Sequence, residues 1–536
     1  MSHTTALASG SRTNAVLHAL QVGVELLASA LACAVAGHYA ITFWQRLRLP
    51  PGPLPRPLYG NFKDLAPLPH RGLQKLHQKY GPLLSMWLGN QLVIVLGSPE
   101  IVKQTHKDKQ EGFQHRVLTD FAKISLHADE EGGKNVALAG GAYWKKARRI
   151  FVQELMSQRF INTVSIPAMV EEIHSAMDAI RELGGAAFDP HDYLQRLSLN
   201  IVFRLTYSCR FDREEMTRPG SRFMQLKSII ENVVRLGAAD VKANYIPVLK
   251  LFNRNLRQQQ AATVATRDSI LRELLDDHRR TLDRKQPRDF LDVLLLRQEA
   301  EQLSDTEVQL IAWEFITAGT DTTSATMHWM ILLLANHPRV QAKAWEEIDR
   351  VTAGQPVTVE DQSKLPYTNA VWKEAMRWMP VVPMMVAYRA SDNVPVSSGG
   401  REYIIKQGTQ VWVNGFNMHR DPSLWKDPDS FFPERFLEGP DSDLELRGAD
   451  AKADVHHLKF LPMGTGRRAC AGYNLARVEL FLQAASLIQC FEWKPPHGRE
   501  TVEVGEVFGI AVSPKPFEVV ARFRSEAVKL TDGSLR

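Results

Sequence analysis

Thirteen residues near the C-terminus, Phe460-Leu-Pro-Met-Gly-Thr-Gly-Arg-Arg-Ala-Cys-Ala-Gly472, constrain this chain more than any other stretch. They set one cysteine, Cys470, in a loop rich in glycine and arginine, and the segment behind it carries Leu475, Val478, Leu482 and Ala485 at helical spacing. Gly464, Gly466 and Gly472 permit the backbone to fold tightly around a sulfur and to aim N–H groups at it. The cysteine is thus expected at a helix N-terminus, where the helix dipole and the guanidinium groups of Arg467 and Arg468 favour thiolate over thiol. A lone cysteine is ordinarily a small buried hydrophobe, but this surrounding sequence suits a metal ligand or a nucleophile better. Zinc needs further Cys or His ligands close by, and the nearest other cysteine, Cys490, lies well down the helix. A single protein sulfur suffices where a macrocycle supplies the remaining ligands, which haem does.

The composition is that of a large globular protein, with 536 residues of which 44% are apolar and 23% charged, enough to bury a sizeable core. Cys33, Cys209, Cys470 and Cys490 follow no regular framework, which argues against a disulfide scaffold and for a reducing compartment. A net charge of +5 suits an anionic membrane surface or an acidic redox partner, whereas no basic run with interleaved aromatics points to nucleic acid. Residues 26–44 form a largely apolar run of 19 residues, about 28 Å long as a helix at about 1.5 Å per residue and so just able to cross a bilayer. Arg46, Arg48 and Arg56 follow the run while only Arg12 precedes it nearby, a bias that leaves the C-terminal bulk in the cytosol. A cleaved signal peptide is the competing reading, since Ala30-Leu31-Ala32 resembles a cleavage site and Glu25 and His38 weaken an anchor. The stiff hinge Leu49-Pro-Pro-Gly-Pro-Leu-Pro-Arg-Pro57 favours the uncleaved anchor. It divides the chain into an expected membrane anchor, residues 1–48, and an expected catalytic domain, residues 49–536.

Beyond the hinge, residues 83–88 and 91–96 read as strands joined by Gly89-Asn90, a favoured two-residue hairpin turn. From there to about residue 380 helical spacing dominates. Residues 438–456 read as a polar, acidic, mobile surface loop and the last dozen residues as a frayed end. One long helix opens with the capping box Ser304-Asp-Thr-Glu307 and runs to Asn336, where His337-Pro338 stops it. Its apolar course is interrupted by Ala318-Gly-Thr-Asp-Thr-Thr323, poor helix formers that weaken it at one place. A purely structural account has these threonines bonding back to carbonyls and bending the helix. Glu314, four residues before Ala318 and eight before Thr322, shares their side of the helix. There it either lines a pocket or turns to a solvated channel or a neighbouring arginine. Farther on, Glu374-Ala-Met-Arg377 sets opposite charges at i and i+3 before Pro380, and Phe431-Phe-Pro-Glu-Arg-Phe436 follows. Trp144-Lys-Lys-Ala-Arg148 taken alone is an ordinary amphipathic helix.

Together these segments resemble the cytochrome P-450 superfamily over roughly residues 49–524. The cysteine loop is similar to the family's Phe-x-x-Gly-x-Arg-x-Cys-x-Gly pattern at Gly466, Arg468, Cys470 and Gly472, with Met463 where the family has phenylalanine. The family's oxygen-binding helix is matched at Ala318, Gly319, Asp321, Thr322 and Thr323, its Glu-x-x-Arg and Pro-Glu-Arg-Phe segments at Glu374, Arg377 and Arg435, and its Trp-x-x-x-Arg helix at Trp144 and Arg148. Where related microsomal members read Pro-His-Arg, this chain has Ala387-Tyr388-Arg389.

The resemblance implies a single large domain, mainly α with small β-sheets, behind an N-terminal anchor helix. It implies haem b (iron protoporphyrin IX) as cofactor, with Cys470 as metal ligand and Trp144, Arg148, Arg389, Arg468 and Gly466 as cofactor-binding residues. It further implies catalytic proton handling by Thr322 and Asp321, room for O₂ at Gly319, and a buried network of Glu374, Arg377 and Arg435 behind the loop. The implied activity is that of a haem-thiolate monooxygenase inserting one atom of O₂ into a small, mostly apolar substrate. NADPH electrons would come through a membrane-bound flavoprotein reductase, or cytochrome b5, since no flavin or nicotinamide fingerprint appears in the chain. The implied location is the endoplasmic reticulum membrane, single-pass, with the catalytic domain cytosolic, as in plant or fungal specialised metabolism. Two alternatives stand beside it. An O₂-independent isomerase or dehydratase would often lose the Gly-x-Asp-Thr arrangement that is intact here, and a haem-thiolate sensor would need the cysteine loop but neither Asp321 nor Thr322. The implied pocket segments, 116–139, 310–322, 381–388 and 507–511, mix aliphatic side chains with methionines, which makes adaptable walls.

Overall fold

The longest apolar stretch within the catalytic part of the chain becomes the axis of the molecule. In the computed structural model, which describes residues 43–524 apart from 213, 216, 217 and 447–453, together with scattered positions between 18 and 41, Asp305–Asn336 is one uninterrupted helix of 32 residues. Its start is fixed by the expected capping box, the Ser304 hydroxyl accepting from Glu307 N and the Glu307 carboxylate from Ser304 N at 2.7 Å. Ile311, Trp313, Ile316, Trp329, Met330 and Leu333 are all buried along it, so that apolar side chains on every face make it a core helix.

The helices that position the site are, in chain order, α1 (Pro69–Tyr80), α2 (Gly141–Glu154), α3 (His191–Tyr207), α4 (Arg222–Tyr245), α5 (Arg254–Thr281), α6 (Asp305–Asn336), α7 (Pro366–Trp378) and α8 (Tyr473–Cys490). The axial α6 packs against α3, α7 and α8. Five strands, β1 (Leu83–Leu88), β2 (Gln91–Leu96), β3 (His115–Arg116), β4 (Tyr388–Arg389) and β5 (Gln410–Val413), form one sheet in the order β1-β2-β5-β4-β3. Only β2 and β5 run parallel; the other neighbours are antiparallel. Gly89 turns the β1–β2 hairpin at φ +54°, and a Cβ there would collide with the Tyr245 carbonyl at the end of α4. The architecture is thus mainly α with small sheets.

Three expectations bear on this architecture. α6 runs through 318–323 to Asn336 as expected, and there the Thr320, Thr322 and Thr326 hydroxyls donate back to the carbonyls of Ile316, Ala318 and Thr322 at 2.8, 2.7 and 2.8 Å. Those hydroxyls bond to their own helix rather than competing with it. The described part of the acidic stretch is anchored, since Leu444 and Leu446 are fully buried and Lys373 donates to the Leu444 carbonyl at 3.1 Å. The expected anchor at 26–44 lies partly outside the described residues, and among the described residues no helix is long and apolar enough to cross a membrane.

Two polar clusters close the fold. His278, at the end of α5, meets Asp289 at 2.9 Å, while Ser208 donates to the same carboxylate at 2.7 Å. Asp289 also caps Asp292 N at 2.9 Å, and Asp292 is held by Arg288 at 2.8 Å. Burial pulls the His278 pKa down, but the Asp289 carboxylate outweighs it and the net shift is upward, so the cluster acts as an ionic staple with its oxygens already taken. The second cluster is Glu374, Arg377 and Arg435. Glu374 accepts from Arg377 Nε at 2.7 Å and Nη2 at 2.8 Å and from Phe432 N at 2.9 Å, and Arg435 Nε lies 3.1 Å away. Arg377 spends its remaining N–H groups on the carbonyls of His419, Pro428 and Ser430. Glu374→Gln would leave two buried guanidinium groups without their anion, so the midpoint of its urea unfolding should fall by the equivalent of about 3–5 kcal/mol.

Candidate active site

The cysteine loop is wound by its own backbone. Gly464 N donates to Leu461 O at 3.1 Å, Ala469 N to Gly466 O at 3.1 Å and Cys470 N to Met463 O at 2.9 Å. Gly466 takes φ +66°, and a Cβ there would collide with the His106 carbonyl oxygen. Gly472, by contrast, has φ −83° and would place a Cβ 3.9 Å from the Cys470 sulfur, an ordinary contact. Cys470 therefore stands two residues before the N-cap of α8 and is exposed, while Ala469 and Leu461 behind it are buried. Arg467, expected near the sulfur, instead pairs with Glu111 at 3.1 Å on the surface. From below, Leu461 N donates to His419 Nε2 at 2.9 Å. Burial and the neighbouring Arg377 and Arg420 push the His419 pKa down to about 3, which keeps the ring neutral and able to accept. Gly466→Ala should abolish cofactor incorporation, whereas Gly472→Ala should retain it; the ratio of bound chromophore to protein after purification measures both.

Around this loop the structure gathers cations. Arg468 lies 4.5 Å over the Trp144 ring and donates to the carbonyls of Ala137, Ala139 and Gln114 at 2.6, 2.9 and 3.2 Å. Arg148, one turn along α2, sits 6.0 Å from the same indole. Arg116 donates to the Arg468 carbonyl at 3.4 Å and lies 3.9 Å over the Tyr388 ring. Arg389 pairs with His115 across the β3–β4 ladder, and burial together with Arg468 and Arg389 lowers the His115 pKa. Burial, then Arg116, pull the Arg468 guanidinium down to about 9. Like charges held out of water call for an anion.

Two donors point the same way, since Trp144 Nε1 and Arg116 Nε are buried without a hydrogen-bond partner. A cationic rim with orphaned N–H groups beside a cradled cysteine fits the carboxylates and iron of haem b. Of the residues implied by resemblance, Trp144, Arg148, Arg389 and Arg468 come together here. Arg116 and His115 belong to the same cluster, although no spacing in a two-residue strand could have singled them out. Tyr388 is buried between Arg116 and the edge of His106, whose ring lies 4.3 Å away.

On α6, Ala318 is exposed although Phe315, Ile316 and Thr320 around it are buried, so this turn faces open space inside the molecule. Gly319 does not open onto that space. Its missing Cβ would lie 2.8 Å from Val202 Cγ1, which makes it the site of close packing between α6 and α3. Thr322 Oγ1 donates to the Ala318 carbonyl. The Asp321 carboxylate turns toward α3, where burial raises its pKa while a hydrogen bond from Gln195 and the nearby His191 oppose the rise. Glu314 is buried, and its oxygens accept from Asn135, Val136 and Ala137 rather than facing the open space.

Residues 50–521 match the family model described as cytochrome P-450. Relatives include cytochrome P-450 98A2 of Glycine max, 35% identical over 88% of this chain and 91% of its own length, and 3,9-dihydroxypterocarpan 6A-monooxygenase of Glycine max, 30% identical over 88% and 93%. Ferruginol synthase of Salvia fruticosa is 29% identical over 90% of this chain and 96% of its own length. Among solved structures, a zebra fish cytochrome P-450 with progesterone superposes with a TM-score of 0.70 at 26% identity, covering 84% of this chain and 99% of that one.

Proposed function

This chain belongs to the cytochrome P-450 family, and from that premise we propose that it oxygenates a small, mostly apolar organic molecule, with Cys470 as the residue that would hold the haem iron. It is a haem b monooxygenase, binding O₂ and substrate and taking electrons from a redox partner. The observation that carries the site assignment is the pair Arg148 and Arg468 over the orphaned Trp144 indole, with Arg116 bonded to the Arg468 carbonyl, beside the only loop in the described chain that cradles an exposed cysteine. Relatives named for a pterocarpan and for ferruginol, and a solved neighbour carrying progesterone, support the substrate class.

Bound haem supplies the activation of O₂ and the transfer of oxygen. The chain's own groups prepare for it. Cys470 presents sulfur at the mouth of α8, whose dipole favours the anion. Trp144, Arg148, Arg389 and Arg468 would hold and neutralise the propionates, and Gly466 gives the loop its turn. Thr322 Oγ1 can exchange its bond to the Ala318 carbonyl for one to a water on the open side of α6 without unwinding the helix. Asp321, facing Gln195 and His191, can pass protons toward that water from the α3 side. The intact pairing of Asp321 with Thr322 supports oxygenation over O₂-independent rearrangement.

A membrane-bound, NADPH-dependent flavoprotein reductase, assisted by cytochrome b5, is the proposed electron source. Residues 1–48 are proposed as a single-pass anchor in the endoplasmic reticulum that leaves 49–536 cytosolic. Substrate-dependent consumption of NADPH and O₂ with such a reductase tests the activity. Reduced wild type with carbon monoxide should show the red-shifted Soret band of a thiolate-ligated haem, and Cys470→Ser should lose it; a wild-type spectrum of the histidine-ligated kind would overturn the assignment. Thr322→Ala should keep haem and NADPH consumption but release more hydrogen peroxide per NADPH, and unchanged coupling would remove Thr322 from proton delivery.

A further inference from the structure

Glu314 is a carboxylate sunk in the apolar run 310–316 of α6, only 8% exposed, and no step described so far uses it. Its oxygens are fully engaged by one short segment. Oε1 accepts from Ala137 N at 2.6 Å and from Asn135 Nδ2 at 3.2 Å, and Oε2 accepts from Val136 N at 2.5 Å. The same segment is gripped from the other side by Arg468, which donates to the carbonyls of Ala137 at 2.6 Å and Ala139 at 2.9 Å. Residue Ala137 is therefore held through its N–H by the carboxylate and through its C=O by the guanidinium.

We infer that Glu314 is a positioning residue for Arg468, fixing through residues 135–137 the carbonyls that aim its guanidinium at the cofactor's carboxylates. This inference rests on the role given to Arg468 under the proposed function. The flanks of that segment are tied by Lys134 N to Leu126 O at 2.8 Å, Gly133 N to Leu138 O at 3.3 Å and Leu138 N to Asn135 Oδ1 at 3.1 Å, while the backbone N–H groups of Val136 and Ala137 are given to Glu314. Arg468 in turn gives its side-chain hydrogen bonds to the carbonyls of Gln114, Ala137 and Ala139, so wherever those carbonyls go the guanidinium follows.

Charge reinforces the geometry. Burial pushes the Glu314 pKa up to about 7, and its backbone donors together with Arg468 and Arg148 resist that rise. The carboxylate thus also offsets part of the repulsion within the rim. All three of its side-chain hydrogen bonds come from N–H donors, which an ionised carboxylate accepts best. Glutamine, equal in size, would turn an NH₂ group toward a backbone N–H and set donor against donor.

The test is haem transfer from the full-length ferric holoenzyme to an excess of a haem-scavenging apoglobin. Glu314→Gln should lose haem roughly tenfold faster than wild type. In the background of Arg468→Lys, which keeps a charge but loses the fork that spans both carbonyls, adding Glu314→Gln should accelerate the loss by no more than about twofold, because coupled residues do not add. Glu314→Asp, which keeps the charge but shortens the reach, carries the same comparison should the glutamine variant accumulate without haem. A rate equal to wild type, or effects of the two substitutions that multiply, would overturn the inference. So would weaker substrate binding with unchanged haem loss, the pattern of a residue that touches substrate. A wild type lacking a thiolate-ligated haem would overturn the proposed function as well, and its spectrum shows this before any variant is compared.

Discussion

The fully buried pair Glu374–Arg377 is the contact on which the rest of this molecule hangs. Two charges taken out of water are costly unless every remaining lone pair and proton is used, and here they are used to tie distant chain together. Arg377 holds the carbonyls of His419, Pro428 and Ser430, and Glu374 holds Phe432 N. Through His419 the network reaches Leu461 N, and through the Leu461 carbonyl it reaches Gly464, the first bend of the cysteine loop. A residue on α7 is thereby coupled to the seat of a sulfur almost a hundred positions later, by hydrogen bonds that leave no slack.

A second layer of order is electrostatic. Beside the loop, Arg148 and Arg468 gather over one indole and Arg116 over the neighbouring Tyr388 ring, like charges that call for an anion when held out of water. The aromatic faces of Trp144 and Tyr388 soften the burial of two of these cations, at 4.5 and 3.9 Å. Glu314, behind residues 135–137, supplies a carboxylate on the protein side that offsets part of the rim's positive charge.

What could be read from the chain was whatever is local. The β1–β2 hairpin announced itself by Gly89-Asn90 between apolar runs, and α6 by its capping box and its His337-Pro338 stop. The cysteine loop announced itself by glycines around a lone sulfur. Side-chain direction was not local, and there the reading fell short. Gly319 was expected to make room within the site, but helix packing turns it against Val202. Arg467 was expected beside the sulfur and went to Glu111. Arg116 and His115 joined the rim because a two-residue strand pairs with β4, a long-range register that no nearby residue encodes. Glu314 had the right helical phase for the open space, yet three donors from a loop nearly 180 residues earlier claimed it.

The contact between Gly319 and Val202 has a consequence for how such a chain can diverge. With no side chain between them, α6 and α3 form a single rigid wall, and a larger residue at either position would pry apart the core rather than reshape a cavity. Val386, Val507, Phe508 and Ile510, by contrast, are exposed apolar side chains outside the helices, where a substitution meets little packing. Change can thus accumulate at those exposed positions without disturbing the packing of the helix that carries Asp321 and Thr322.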